Sequence, residues 1–248
     1  MEPYKVFTVR SSPHASVRKP RALDAVYMTV CLHGETEETV VGHGTRVRKP
    51  FDIGVHPAHE LRTPRTGPEG CHIIGVRLDM ASTRALETAN GGPLDSMVLD
   101  GAPFSSQLLR LASLFGKPEL DVPATRAEVE AFLALLTARL SERAAPTWLQ
   151  MARRHLMQNF RNPVRLNQVA GEIGINPIHL AQTFKKVEGH TIGDHLREVR
   201  MAEVLRMDGP LGNAAIEAGF YDQSHFTRIF KKATGLTPSQ FRDRLDRI

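Results

Sequence analysis

The sequence predicts an α+β chain. Its N-terminal part reads as a β-sheet or small β-barrel followed by helices, and its C-terminal part as an all-α region of two helix-turn-helix modules joined by one helix. Three observations predict this. Short apolar runs separated by Gly and Pro fill residues 25–78, apolar spacing turns helical after Met80, and a segment beyond Pro146 recurs later in the chain.

Bulk composition sets the frame. With 248 residues, 41% hydrophobic and 24% charged, the chain can bury two cores, which excludes a disordered or fibrous class. No run of about 18 apolar residues exists, and Met1-Glu2-Pro3-Tyr4 lacks a basic segment ahead of an apolar one, so the reading is a cytoplasmic protein with no membrane partner. Cys31 and Cys71 are too few for a disulfide framework and read as packing thiols. Residues 146–248 hold 15 Lys and Arg against 10 Asp and Glu, while the rest balance at 17 against 17. The whole net charge of +5 therefore lies in the C-terminal part. A nucleic-acid partner accounts for that bias, as does an ordinary solvated basic face.

Residues 1–24 mix Arg, Lys, Ser and Pro without periodicity and read as a strand-poor N-terminal arm. Residues 25–142 form the next domain. Its strands are read at 26–32, 39–41, 51–55 and 73–78. Helical spacing follows at Phe104, Leu108, Leu111 and Phe115. A further helix opens at Thr125 and closes at Leu140, with Val129, Phe132, Leu133, Leu136 and Leu140 on one stripe that suits a core or a dimer contact. Ser141 to Pro146 marks a boundary, and Thr147 with Gln150 has capping-box spacing ahead of Trp148, Ala152, Leu156 and Phe160, opening a helical domain over 146–248.

That domain carries an internal repeat. Phe184-Lys185-Lys186-Val187-Glu188-Gly189 recurs as Phe230-Lys231-Lys232-Ala233-Thr234-Gly235; Asn176 pairs with Asp222, His179 with His225, and Leu180 with Phe226. One residue earlier in register, Ala170 pairs with Ala215 and Gly174 with Gly219. Each copy reads as a helix-turn-helix: a small residue for close helix approach, a glycine for the left-handed turn, an Asn or Asp cap, and two large apolar residues four apart that anchor the second helix. Capped helices in a bundle share these features, and it is the duplication that separates the two readings. Between the copies a linker helix runs from its cap Thr191 to Arg206 and stops at Gly209-Pro210. Its length of roughly 24 Å suits two recognition helices about one turn of B-DNA apart.

At these residues the chain resembles the AraC/XylS family of bacterial transcription regulators. The signature runs from Ala218-Gly219-Phe220-Tyr221-Asp222-Gln223-Ser224-His225-Phe226 through Thr227-Arg228-Ile229-Phe230-Lys231-Lys232 to Gly235-Leu236-Thr237-Pro238-Ser239-Gln240-Phe241-Arg242. The segment 166–189 and the linker residues Arg200, Ala202 and Leu205 fit as well. The pattern differs at the start of each module. Arg165 and Pro210 stand where the family has a capping side chain, and Gly212 weakens the first helix of the second module, which reads as loosely held until DNA binds.

The outward face of the first recognition helix carries Pro177, Ile178, Ala181, Gln182 and Lys185; the second carries Gln223, Ser224, Thr227, Arg228 and Lys231. Gln182 can pair bidentately with adenine and Arg228 with guanine, while Ile178 and Ala181 offer only apolar contact to thymine methyls. The base-contact candidates are therefore Ile178, Ala181, Gln182, Gln223, Ser224, Thr227 and Arg228, which the resemblance also implies. Lys185, Lys186, Arg200, Lys231 and Lys232 suit phosphate contact or support of the linker. His179 and His225 read as packing residues.

The resemblance further implies a cupin-like N-terminal domain that binds a small-molecule effector and dimerises, here through the 125–140 helix. Candidate effector residues are Tyr27, Thr29, His43, His59, Arg62 and His72, although strand alternation does not say which side faces inward. His56, His59 and Glu60 with His43 or His72 offer donors of a cupin metal centre, but the usual His-x-His pair is missing and no metal or other cofactor is assigned. No nucleophile, phosphate loop or carboxylate pair points to catalysis, so no catalytic residue is named. The function expected is a DNA-binding transcription regulator, an activator, with double-stranded DNA, the effector, a second copy and RNA polymerase as candidate partners. The alternatives are a metal-dependent cupin enzyme with a helical appendage and an architectural DNA-binding protein without effector.

Overall fold

The structure is a computed structural model that describes residues 4–15, 21–42, 44–115, 122–141, 146–207 and 209–245. His43 and the boundary segment 142–145 lie outside the described residues.

Two long antiparallel strands carry the N-terminal domain, β3 (Tyr27–Val40) and β6 (Leu61–Leu78), paired from Tyr27 opposite Arg77 to Val40 opposite Arg62. Both cross a corner where the register shifts between Cys31 and His33 and again between Gly34 and Thr36. Glycine is required here on two counts. Gly34 has φ 70°, and a Cβ on it would stand 2.0 Å from the carbonyl oxygen of Gly70. Beyond the corner the long strands pair with β2 (Arg21–Ala22) and β4 (Gly44–Arg48); before it they pair with β1 (Tyr4–Ser11) and β5 (Asp52–His56), and β7 (Met97–Asp100) adds to β5. All these pairings form one seven-stranded sheet. Hydrogen bonds from Arg48, past the corner, to Thr29, before it, close the sheet on a polar interior.

The other side of the sheet packs on helices. Met28, Val30, Ile53, Val55, Ile74 and Val76 are buried against α1 (Met80–Asn90), α2 (Ser105–Phe115) and α3 (Val122–Ser141). A short 3₁₀ turn, Ala102–Phe104, leads into α2. The stripe Val129, Phe132, Leu136 and Leu140 on α3 is 0–2% exposed, so it serves this core and is not available to a second copy.

The C-terminal helices are α4 (Thr147–Asn159), α5 (Leu166–Ile173), α6 (Pro177–Glu188), α7 (Ile192–Arg206), α8 (Leu211–Glu217), α9 (Gln223–Thr234) and α10 (Pro238–Leu245). The first module has its own core, with Leu149, Ala152, Leu156, Val169, Ala170, Leu180, Phe184 and Leu196 buried together. The second module shares the core of the N-terminal domain: Ala214, Ala215, Phe226, Phe230 and Phe241 are continuous with Leu108 and Leu111 of α2.

Three readings of the sequence change. Residues 4–11 are not a strand-poor arm but pair with β6 along their whole length. The strands read at 26–32 and 39–41 are one strand, because Thr36, Glu38 and Val40 continue the inward alternation through a polar stretch. Thr147 does not cap α4; Pro146 holds the N-cap position, with no side-chain cap bond. The second module does start without a side-chain cap at Pro210, as read, and its core is continuous with that of α2.

The corner makes a direct prediction. Gly34→Ala drives a methyl group into the Gly70 carbonyl in left-handed backbone, and chemical denaturation is expected to show a loss of at least about 2 kcal/mol; a loss under about 0.5 kcal/mol would mean that the corner relaxes freely.

Candidate nucleic-acid interface and buried polar cluster

Each recognition helix is built by the same local devices. In the first module Gly174 takes the left-handed conformation (φ 77°), and the Asn176 side chain accepts hydrogen bonds from the amides of Ile178 and His179. In the second, Gly219 (φ 94°) makes the turn, with no room for a Cβ against the Arg161 carbonyl oxygen at 2.6 Å, and Asp222 accepts from the His225 amide. Leu180 and Phe184, and likewise Phe226 and Phe230, are fully buried. The opposite face of each helix then stands in solvent.

That face holds the residues read from the sequence. Ile178 is 66% exposed, and Gln182, Gln223, Ser224 and Arg228 are exposed, while Ala181 and Thr227 are half-buried. Lys185, Lys186, Lys231 and Lys232 are exposed in the last turns of α6 and α9. Arg200 lies elsewhere: its guanidinium donates to the carbonyl oxygens of Phe160 at 2.6 Å and Asn162 at 2.9 Å, tying α7 to the end of α4, and burial lowers its pKa. His179 packs against Trp148 and His225 against Phe220, as expected of packing residues. One further residue belongs to this surface. Tyr221 is 87% exposed and lines a crevice with Ser224 and Arg228. An aromatic residue beside the cap of an outward helix was the available signal, hidden because the motif was read for its core positions.

The linker helix α7 fixes both modules to the N-terminal domain. Its Glu198 carboxylate accepts from the Ser106 amide at 2.6 Å and from the hydroxyls of Ser105 and Ser106, at the first turn of α2 where a helix favours negative charge. Arg206 donates to the Pro50 carbonyl oxygen at 2.7 Å and to Asp100, and lies over the Phe51 ring. Arg110 of α2 donates to the Ala233 carbonyl oxygen at the end of α9.

Inside the folded sheet lies a cluster of charged residues. Arg48, with no exposed surface, donates to Glu38 at 2.6 Å and to the Thr29 hydroxyl at 2.5 Å; Arg62 donates to the same Glu38 oxygen. Thr29 Oγ1 also shares a hydrogen bond with His56 Nε2 at 2.8 Å, the donor being set by the tautomer of the ring. Nδ1 stands 3.7 Å from Glu60 Oε1 and 3.8 Å from Glu38 Oε2, too far for direct hydrogen bonds. Both Glu60 oxygens, His56 Nδ1, Arg48 Nε and Thr36 Oγ1 are buried with no hydrogen-bond partner among the described residues. Glu60 also lines a cavity of about 340 Å³ with Val41, Leu61, Leu94 and Asp95. Unsatisfied groups of this kind are costly without a partner, and a polar ligand or water would supply one.

Among the described residues, Thr29 and Arg62 are the expected effector residues that join this cluster. Tyr27 sits at the rim with its hydroxyl on Asp24 at 2.6 Å, His59 is exposed in a turn, and His72 packs near His33 beside the crevice below α7. Glu38, Arg48, His56 and Glu60 were not expected there. The bulges at the corner shift the inward parity from odd at Thr29 to even at Thr36 and Glu38, so simple alternation could not group them. Cys31 is a buried thiol pushed up to about 12 by burial and is inert.

Two capped recognition helices, each presenting a polar face and held on one linker helix, define a DNA-binding protein of the double helix-turn-helix class. A family model described as a helix-turn-helix domain matches residues 169–244. The probable transcription factor PqrA of Proteus vulgaris is 33% identical over 84 residues, which cover 32% of this chain and 69% of PqrA. The bifunctional transcriptional activator/DNA repair enzyme AdaA of Bacillus subtilis is 29% identical over 99 residues, covering 38% of this chain and 47% of AdaA, so the match spans about half of that relative. Among solved structures, ToxT from Vibrio cholerae aligns over the full length of both chains at 11% identity with a TM-score of 0.42. The chain belongs to the AraC/XylS family of transcription regulators.

Among the described residues no helix is long and apolar enough to cross a membrane.

The polar cluster predicts a pH response. Burial, and then Arg62, hold the His56 pKa well below its ordinary value, so the folded protein keeps a neutral ring where the unfolded chain takes up a proton. Burial alone would raise Glu38, but the guanidinium groups of Arg48 and Arg62 outweigh it and the net shift is downward. Stability from His56 is complete above about pH 6.5 and is lost as pH falls below it; that from Glu38 is lost only below about pH 4.5. The Tm is expected to fall in two stages on acidification, and His56→Gln to flatten the first; an unchanged first stage would show that another group carries it.

Proposed function

We propose that the chain is an effector-controlled, sequence-specific transcription activator, with residues 146–248 binding double-stranded DNA and residues 25–142 sensing a small molecule. The observation that carries this reading is the pairing of two outward polar recognition faces with a buried, partly unsatisfied charged cluster, the two being linked through α7. Ile178, Ala181, Gln182, Gln223, Ser224, Thr227 and Arg228 contact bases, joined by Tyr221. Lys185, Lys186, Lys231 and Lys232 neutralise phosphates, and Arg200 supports them by holding α7 in place. Arg228, with its guanidinium exposed and able to pair with guanine O6 and N7, carries the most hydrogen-bonded specificity. The first module, with Ile178 and Ala181, reads by apolar contact and through Gln182.

The effector binds within the folded sheet at Thr29, Glu38, Arg48, His56, Glu60 and Arg62. A ligand there moves Arg48, which stands two residues before Pro50, whose carbonyl oxygen Arg206 grips. The shift reaches α7 and with it the spacing of both recognition helices. A homodimer through α3 uses the helix's outer face, where Ala127, Ala131, Ala134 and Ala138 are exposed. RNA polymerase is the further partner of an activator, and the cytoplasm its compartment. PqrA is named a probable transcription factor and AdaA a transcriptional activator as well as a DNA repair enzyme; no catalytic role is proposed for this chain.

The test is binding of the full chain to a randomised DNA pool at two salt concentrations, followed by sequencing of the retained sites. Affinity is expected to fall steeply with salt around a defined site; salt-insensitive retention or no site preference would overturn the reading. Arg228→Ala is expected to cost about 1–3 kcal/mol and to relax preference at one base pair, whereas Lys231→Ala weakens all sites alike and reduces the salt slope by about one. An Arg228→Ala protein that selects the original site unchanged would remove Arg228 from the base-reading set.

A further inference from the structure

The junction between the first recognition helix and the linker helix holds a group of side chains that DNA reading does not use. Glu188 ends α6, Gly189 (φ 74°) turns the chain, His190 follows, and His195 lies in the first turn of α7. The Thr191 and Asp194 capping box fixes that turn, with the Asp194 amide donating to Thr191 Oγ1 at 3.1 Å. His190 Nε2 and His195 Nδ1 stand 3.2 Å apart, and one ligand atom from each of Glu188, His190 and His195 falls within 4.8 Å of the others. Glu188 and His195 are 4% and 1% exposed, and His190 is half-buried.

We propose that Glu188, His190 and His195 form a binding site for a divalent transition-metal ion, with zinc as the ion best suited to the donors. Two neutral imidazoles and a carboxylate are the donor set zinc takes when one position is left to water, and bonds of about 2.0–2.1 Å place neighbouring nitrogens about 3.3 Å apart on a tetrahedron. The imidazole separation matches that edge before any ion is added. Arg153 donates to Glu188 Oε1, the outer partner that orients a ligating carboxylate and balances its charge. The rings of Phe184 and Phe104 lie against the two histidines and form an apolar wall. His190 also lines the cavity between α2 and α7, which gives an ion its way in. An ion held here joins the C-terminal end of α6 to the start of α7 and stiffens the hinge that sets the first recognition helix against the linker.

The experiment uses the full chain, stripped with a chelator and titrated with cobalt(II). The expected result is uptake of one ion per chain with the visible absorption of tetrahedral cobalt, bleached by zinc, and a zinc-dependent rise in Tm. His190→Ala and His195→Gln, each checked for an intact thermal transition, are expected to weaken uptake by about a hundredfold or more, while His14→Ala at an exposed site leaves it unchanged. No stoichiometric uptake would mean that the three side chains hold no ion, and equal uptake by the wild type and both variants would put the ion elsewhere; either result overturns the proposal.

Discussion

Helix α7 is the element on which the arrangement of the molecule depends, because charged groups hold it at three levels to three different parts of the chain. Its Glu198 sits on the first turn of α2, its Arg200 grips the carbonyl oxygens at the end of α4, and its Arg206 grips the turn at Pro50. Between these polar ties, Val199, Met201, Ala202 and Val204 are buried. Leu196 belongs to the core of the first module, and Met201, Ala202 and Val204 to the core shared by the second module and the N-terminal domain. A rotation of α7 would break hydrogen bonds to charged groups in all three regions, each worth more than an ordinary neutral bond. Both recognition helices therefore take their positions from one helix.

This arrangement makes the two modules unequal despite their common origin in sequence. The first is a nearly self-contained bundle, while the second completes its core with α2 and receives Arg110 at the end of α9. The short α8, with Gly212 and no side-chain cap, is sufficient because its buried Ala214 and Ala215 face a core that the N-terminal domain helps to fill. Local helix propensity is a weak constraint once tertiary burial is available.

The charged interior of the folded sheet follows a different logic from the cores around it. Burying Arg48, Glu38 and Arg62 stabilises the fold little relative to apolar packing, since desolvation consumes most of the Coulomb gain. Gly54 leaves the space that Arg48 and His56 occupy, for a Cβ there would lie 2.6 Å from each. Room made for polar groups that remain short of partners is what the proposed effector site rests on, and the backbone from Arg48 to Pro50 leads to the carbonyl oxygen that Arg206 of α7 binds.

Much of the DNA-binding half was legible in the sequence because its determinants are local. A glycine four residues after a small residue, an Asn or Asp cap and large apolar residues four apart each act within one or two helical turns, so Gly174, Asn176, Leu180 and Phe184 and their counterparts stand where they were read. The outward polar face followed from the same periodicity, as did the α+β class and the helices read at 104–115 and 125–140, which the structure places at Ser105–Phe115 and Val122–Ser141. The N-terminal half resisted because its determinants are not local. Whether Thr29 and Glu38 share a face depends on bulges that flip side-chain parity, and whether the Phe132 stripe meets its own sheet or another copy depends on what covers it. Sequence alone determined the two recognition helices and the residues they expose, since backbone hydrogen bonding and capping are settled between near neighbours. Tertiary structure decided which charges meet inside the sheet, what braces the second module, and that Glu188, His190 and His195 converge, because those outcomes require strands and helices distant in the chain, or a turn between two helices, to be brought to a fixed separation.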